Sequence, residues 1–166
     1  MTNFVWHYTA CEHLAKIVKS GELRPSNAGS PETAPLLWFS TNQRWEPTAR
    51  KLVAEPGVQG LRPLSFHMQA KLFGCVRFGL SASDPQLMDW KAACTFDGTS
   101  REKRRAMELR GKRDGASPKD WFATSLQISL DKLSCQLWIP KREVWAAGLT
   151  PQQILEIWTE AQHEAA

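Results

Sequence analysis

Three stretches decide the fold: Trp6-His7-Tyr8-Thr9, then Leu14-Ala15-Lys16-Ile17-Val18-Lys19-Ser20-Gly21-Glu22-Leu23-Arg24-Pro25, then Trp38-Phe39-Ser40-Thr41-Asn42. Residues 3–9 are aromatic and β-branched, the composition of a strand. In the second stretch Leu14, Ile17 and Val18 share one helical face. Thr9 stands at the expected N-cap, Glu12 follows three residues on, and Gly21 supplies the C-terminal stop. Residues 26–35 are rich in Gly, Pro and Ser and read as a loop. Residues 36–41 form a compact apolar strand that ends in hydroxyls. Two strands with polar ends, joined by a short helical crossover, predict an α+β fold: a split, mainly antiparallel sheet with flanking helices. The strands ending at His7 and Ser40 are expected side by side, with both side chains on one surface.

Working outward, Asn42 is expected to cap a helix running to about Ala54, with Pro47 in its first turns. Residues 56–70 are turn-rich and give no assignment. Residues 73–80 read as a strand, 85–94 as a short helix around Trp90, and 100–113 as a longer basic helix. Residues 121–126 read as a strand, and 128–138 as a turn entering another. Thr150-Pro151 opens a last helix with Ile154, Leu155 and Trp158 as its apolar stripe. With no internal repeat and no long linker, residues 1–166 are expected to form a single domain.

Composition narrows the chemistry. A hydrophobic fraction of 42% supports a folded core rather than a disordered chain. No run approaches the roughly 20 apolar residues that span a bilayer, so no membrane partner is expected. The first residues lack the basic and apolar regions of a secretory signal, so the expected location is cytoplasmic. Cys11, Cys75, Cys94 and Cys135 are never in a C-x-x-C pair, and His7, His13, His67 and His163 do not complete a ligand set. No metal is therefore predicted, and the thiols are expected to be reduced and mostly buried. The 8 Trp beside a single Tyr are unusual, and several are expected to line a cleft. The net charge is +4, and Arg101, Lys103, Arg104, Arg105, Arg110, Lys112 and Arg113 crowd one segment. Such a face suits either plain solvation or an acidic partner.

The order of His-Tyr-Thr, helix, Gly, loop and Phe-Ser-Thr-Asn resembles the NAD-binding core of the ADP-ribosyltransferase superfamily, the fold of diphtheria-toxin-like and poly(ADP-ribose)-polymerase-like enzymes. Asp120-Trp121-Phe122-Ala123, followed by Ile128-Ser129 and Leu133, is a third point of resemblance. It implies NAD as substrate, no metal, and transfer of ADP-ribose to an unidentified macromolecule, protein or nucleic acid. By the same resemblance His7 would hold a ribose, and Tyr8 and Thr9 would shape the main-chain contact to the amide. Phe39 would stack, Ser40 and Thr41 would face the ribose, Trp45 would form a second aromatic wall, and Arg77 would meet the pyrophosphate. Where the family has a catalytic Glu, the nearest acid is Asp120, one methylene shorter, with Gln127 close by in sequence. That substitution leaves a second expectation open: a catalytically inactive module on the same fold that binds a nucleotide or a protein.

Overall fold

The computed structural model describes residues 3–27, 32–54, 56–57 and 59–164. They form an α+β protein with a large antiparallel sheet and five helices. In chain order the strands are β1 (Phe4–Thr9), β2 (Glu22–Leu23), β3 (Leu37–Ser40), β4 (Leu52–Ala54), β5 (Leu61–Pro63), β6 (Val76–Ser81), β7 (Met88–Asp89), β8 (Trp121–Thr124), β9 (Ile128–Ser129), β10 (Ser134–Ile139) and β11 (Val144–Ala146). The helices are α1 (Leu14–Ser20), α2 (Phe66–Phe73), α3 (Trp90–Phe96), α4 (Arg101–Arg113) and α5 (Pro151–Glu164). Seven strands make the main sheet in the order β11-β10-β6-β1-β3-β8-β7, while β2 pairs with β9 and β4 with β5. The strands expected to end at His7 and Ser40 are neighbours, as the sequence suggested.

Their junction is thin. β1 pairs with β6 along its whole length, from Phe4 opposite Ser81 to Thr9 opposite Val76, but meets β3 at one position, Trp6 opposite Ser40. Because side chains alternate along a strand, that register puts Trp6, Tyr8, Trp38 and Ser40 on one face. Val5, His7, Thr9, Leu37 and Phe39 go to the other. The second face is apolar: Val5, Phe39, Phe78, Leu80 and Leu137 pack under Leu14 of α1 and Ile154 of α5. Each such side chain contributes about 1.5–3 kcal/mol when fully buried, so this layer anchors the fold.

The first face is aromatic. It carries or receives Trp6, Trp38, Trp45, Trp90, Trp121, Trp138 and Trp145, together with Tyr8, and only Trp158 of α5 joins the opposite layer. Gly79 is needed there, because a Cβ at that position would stand 2.7 Å from the Trp6 ring. The four cysteines are free and buried. Burial pushes the thiols of Cys11, Cys75 and Cys135 up to about 12, so they serve as small apolar fillers.

Two sequence expectations fail locally. Residues 42–54 contain no helix. The Asn42 carboxamide accepts from the main-chain N–H groups of Arg44 (3.2 Å) and Trp45 (3.4 Å), so its capping chemistry closes a turn instead. The Glu46 carboxylate then takes the Thr48 N–H, and the chain leaves as strand β4. Thr9 does not cap α1 either. A single 3-10 turn, Cys11–His13, precedes the helix, with Ala10 in the capping position. Gly21 does stop α1, in the left-handed conformation at φ 71°.

Candidate functional site

A cavity of about 650 Å3 opens on the aromatic face. Its floor is Trp6, Tyr8, Trp38 and Ser40. One wall is the loop through Thr48 and Arg50 with Leu52 and Pro63 of the β4–β5 hairpin, and the other is Trp90 with Met107, Arg110 and Gly111 of α4 and Asp114 just past its end. Trp121 joins floor to wall. The two walls are tied at the rim by the Arg50–Asp114 ion pair, 2.8 Å. Helix α4 approaches closely because residue 111 is glycine: a Cβ there would stand 2.5 Å from the Trp121 ring. Trp90 Nε1 donates to Glu108 Oε1 at 2.7 Å, fixing α3 to α4.

A buried carboxylate is held on the same face by residues that line the cavity. Glu46 is 5% exposed, and every donor to it belongs to a cavity residue. Ser40 Oγ donates to Oε2 at 2.7 Å, while the Thr48 hydroxyl (2.7 Å), the Thr48 N–H (3.1 Å) and Trp121 Nε1 (3.2 Å) donate to Oε1. Four donors on one carboxylate compensate its desolvation, and among the described residues no cation pairs with it. Glu46 thus positions the hydroxyls and the indole that shape the cavity.

A buried cation lies on the same face. Arg77 is 6% exposed and sits between the rings of Trp6 and Trp145, at 4.0 and 4.4 Å. Its Nε and Nη2 donate to Gln136 Oε1 at 2.9 and 2.6 Å, and Nη1 donates to the Gln43 carbonyl. Among the described residues no carboxylate pairs with it, so cation–π contact and neutral acceptors carry the charge. Tyr8 donates to the Asn42 carbonyl, and burial pushes its phenol up to about 12 against the opposing pull of Arg77.

The residues expected to form one site are divided by the sheet. Tyr8 and Ser40 border the cavity. His7 and Phe39 also border it, but alternation turns their side chains to the opposite face, where the two rings meet edge to face at 5.9 Å. His7 and Ser40 therefore do not share a surface, which corrects the sequence expectation: Trp6, not His7, is opposite Ser40. The His7 imidazole bridges the thin β1–β3 junction instead, its Nδ1 lying 2.9 Å from the Trp38 carbonyl. Burial lowers its pKa, opposed by that bond and assisted by His13. Nδ1 thus carries the proton and donates, in a neutral ring. Thr9 follows His7 on that face.

Trp45 is part of the aromatic core against Tyr8 and Phe66 rather than a cavity wall. Arg77 is enclosed as described. Thr41 Oγ1 donates to Asp120 Oδ1 at 2.8 Å and the Thr41 N–H to the Asp120 carbonyl at 2.9 Å, so Asp120 ties β3 to the start of β8. Gln127 is exposed beside β9. Neither borders the cavity. The residues that sequence reasoning missed are Glu46, Arg50 and Asp114, and Arg110 was singled out only as part of the basic run. One signal was available for the floor, since Trp6, Tyr8, Trp38 and Ser40 fall on even positions of two strands.

Among the described residues no group of His, Cys, Asp or Glu is suited to hold a metal ion, and no helix is long and apolar enough to cross a membrane. Comparison with known protein families, with characterised proteins and with solved structures finds no significant match to this chain.

Proposed function

We propose that the cavity is a nucleotide site and that the protein is ADP-ribosyltransferase-like, binding NAD and directed at a macromolecular target. The observation that carries this reading is the convergence of Trp6, Tyr8, Trp38 and Trp121 with Arg50 and Arg110 around one cavity of about 650 Å3. Ligand pockets for small molecules run from about 300 to 1,000 Å3. Aromatic faces suit flat heterocycles, and guanidinium groups suit pyrophosphate oxygens. The order of His-Tyr-Thr and Phe-Ser-Thr-Asn on two adjacent strands that barely touch supports NAD as the nucleotide.

A second reading, a nucleotide-binding module without transferase chemistry, is favoured by one observation. The Asp120 carboxylate is engaged by Thr41 outside the cavity, and Gln127 is exposed. Calorimetric titration with NAD tests what the two readings share. Saturable binding is expected, weakened about tenfold or more in Arg110→Gln, since a charge-assisted hydrogen bond contributes about 1.5–3 kcal/mol. An absence of binding to the wild-type protein refutes both. Nicotinamide release separates them: the transferase loses it in Asp120→Asn and keeps it in Asp120→Glu. Equal release from all forms, or none while NAD still binds, leaves the module.

A further inference from the structure

We infer that α4 is a docking surface for the phosphate backbone of single-stranded nucleic acid, laid so that the strand reaches the cavity mouth. This rests on the nucleotide-site reading and names the class of macromolecule presented to it.

The charge distribution carries the argument. Helix α4 holds seven cations against Glu102 and Glu108, a net +5. The whole chain is +4, so the remainder of the molecule is net −1. The basic character of the protein therefore belongs to this one helix.

Its cations are also placed to act together. Arg101, Arg105, Arg110, Lys112 and Arg113 are exposed, and among the described residues none of them is ion-paired. By helical geometry Arg105, Lys112, Arg113 and Arg110 form a path around α4 from its middle to its C-terminal end, with Arg101 a turn before it. Arg105 and Lys112 flank a shallow groove with Glu108, Leu109, Ala116, Ser117 and Pro118 on the side away from the cavity; the one acid in it, Glu108, is engaged by Trp90 and Arg104. Arg113 lies on the outward crest, and Arg110 stands at the cavity mouth. The helix beneath is firmly held. Ser100 caps it, Trp90 bonds Glu108, Asp114 pairs with Arg50, and Gly111 sits against Trp121. The backbone that carries the cations therefore needs no ordering when a polyanion binds, and only their side chains do.

The neighbouring cavity decides between polyanions. A path of cations that ends at an aromatic-lined opening matches single-stranded nucleic acid, whose unstacked bases lie on aromatic rings while the phosphates follow basic residues. An acidic protein segment would match the charges but has no use for the aromatic opening. Duplex is disfavoured, because its bases are stacked and cannot enter the cavity.

The test is fluorescence anisotropy with labelled single-stranded 12-mers of RNA and DNA across a salt series, beside a poly-glutamate peptide of equal charge. Each phosphate contact contributes a slope of about −0.7 in log K against log salt, so contacts from Arg105, Lys112, Arg113 and Arg110 give about −3. The Arg105→Gln, Lys112→Gln, Arg113→Gln triple variant should bring this to about −1 and weaken oligonucleotide binding at least tenfold. These exposed positions keep a good helix former, and calorimetric NAD binding by the variant should match wild type. An unchanged slope in the triple variant, no oligonucleotide binding by wild type, or peptide binding as tight as oligonucleotide binding overturns the inference. NAD failing to bind while the oligonucleotide slopes behave as stated would overturn the nucleotide-site reading and leave the docking surface in place.

Discussion

Removing the Glu46 carboxylate should damage this protein more than any other single polar change on the aromatic face. Four donors converge on it, from Ser40, Thr48 (twice) and Trp121. In Glu46→Ala all four lose their acceptor. A buried donor left unsatisfied costs about 1–3 kcal/mol. The losses do not add fully, because the Ser40 and Thr48 hydroxyls can rotate and the adjoining cavity admits water. A net loss of about 3–4 kcal/mol follows, a large share of the roughly 5–15 kcal/mol that holds a domain together. Glu46→Gln keeps the shape and leaves an oxygen for Thr48 and Trp121, while the Ser40 hydroxyl turns to accept from the new amide. Only the charge-assisted part is lost, about 1–2 kcal/mol. Urea unfolding followed by circular dichroism reads both. With a slope of about 2 kcal/mol per molar, the midpoint should fall by about 1.5–2 M for Ala and by 1 M or less for Gln. Equal damage from the two substitutions, or none from Ala, would show that the donors have other partners and that the account of this carboxylate is wrong.

Other outcomes follow from single groups. The His7 pKa lies below its usual 6.5 in the folded protein, so below that pH the unfolded chain takes up more protons. Its contribution to stability should be complete above about pH 6.5 and decline as the pH falls toward the folded value, with His7→Gln flattening the pH dependence of urea midpoints. A variant with the same acid slope as wild type would contradict this. Tyr8 is the only tyrosine, so phenolate absorbance reads it alone. Its midpoint should lie near 12 rather than 10.0, and stability should fall as the pH rises through that interval, because the unfolded phenol ionises first. A midpoint near 10 in the folded protein would contradict its burial. Gly111→Ala gains about 1 kcal/mol in helix propensity but drives a methyl group into Trp121 at 2.5 Å. Overpacking costs about 1–3 kcal/mol, so a net loss of about 1 kcal/mol is expected as a lower melting temperature, and a raised one would refute the close approach.

Much of the fold could be read from local signals. The periodicity of Leu14, Ile17 and Val18 with Gly21, the Ser100 cap before a basic run, and Pro151 ahead of Ile154 all mark helices that form. The strands around His7, Ser40, Phe78 and Trp121 also stand where apolar and β-branched residues cluster. What local signals do not carry is registry. Whether His7 or Trp6 lies opposite Ser40 depends on a pairing across more than thirty residues, and a one-residue slip exchanges the two faces. That slip separates the expected site into two halves. The stretch after Asn42 was misread because its turn is closed by side chains, Asn42 and Glu46, where a helix would use main-chain bonds. Strand β11, only Val144–Ala146, is recruited by pairing with β10, a contact invisible to local propensity. Glu46 itself gave no signal beyond an acid set between Trp45 and Pro47.

The lopsided placement of the tryptophans has an optical consequence. Trp38 lies 5.7 Å from Trp90, Trp90 lies 4.9 Å from Trp121, and Trp138 lies 5.3 Å from Trp145, measured between ring centres. Indoles this close share their excited states, so light absorbed by one is passed to its neighbours before it is emitted. The intrinsic emission of the protein is thus the signal of one side of the sheet. Anything that enters the cavity quenches or shifts a coupled set of emitters at once, whereas rearrangements under α1 and α5 pass almost in the dark, with Trp158 as the lone witness.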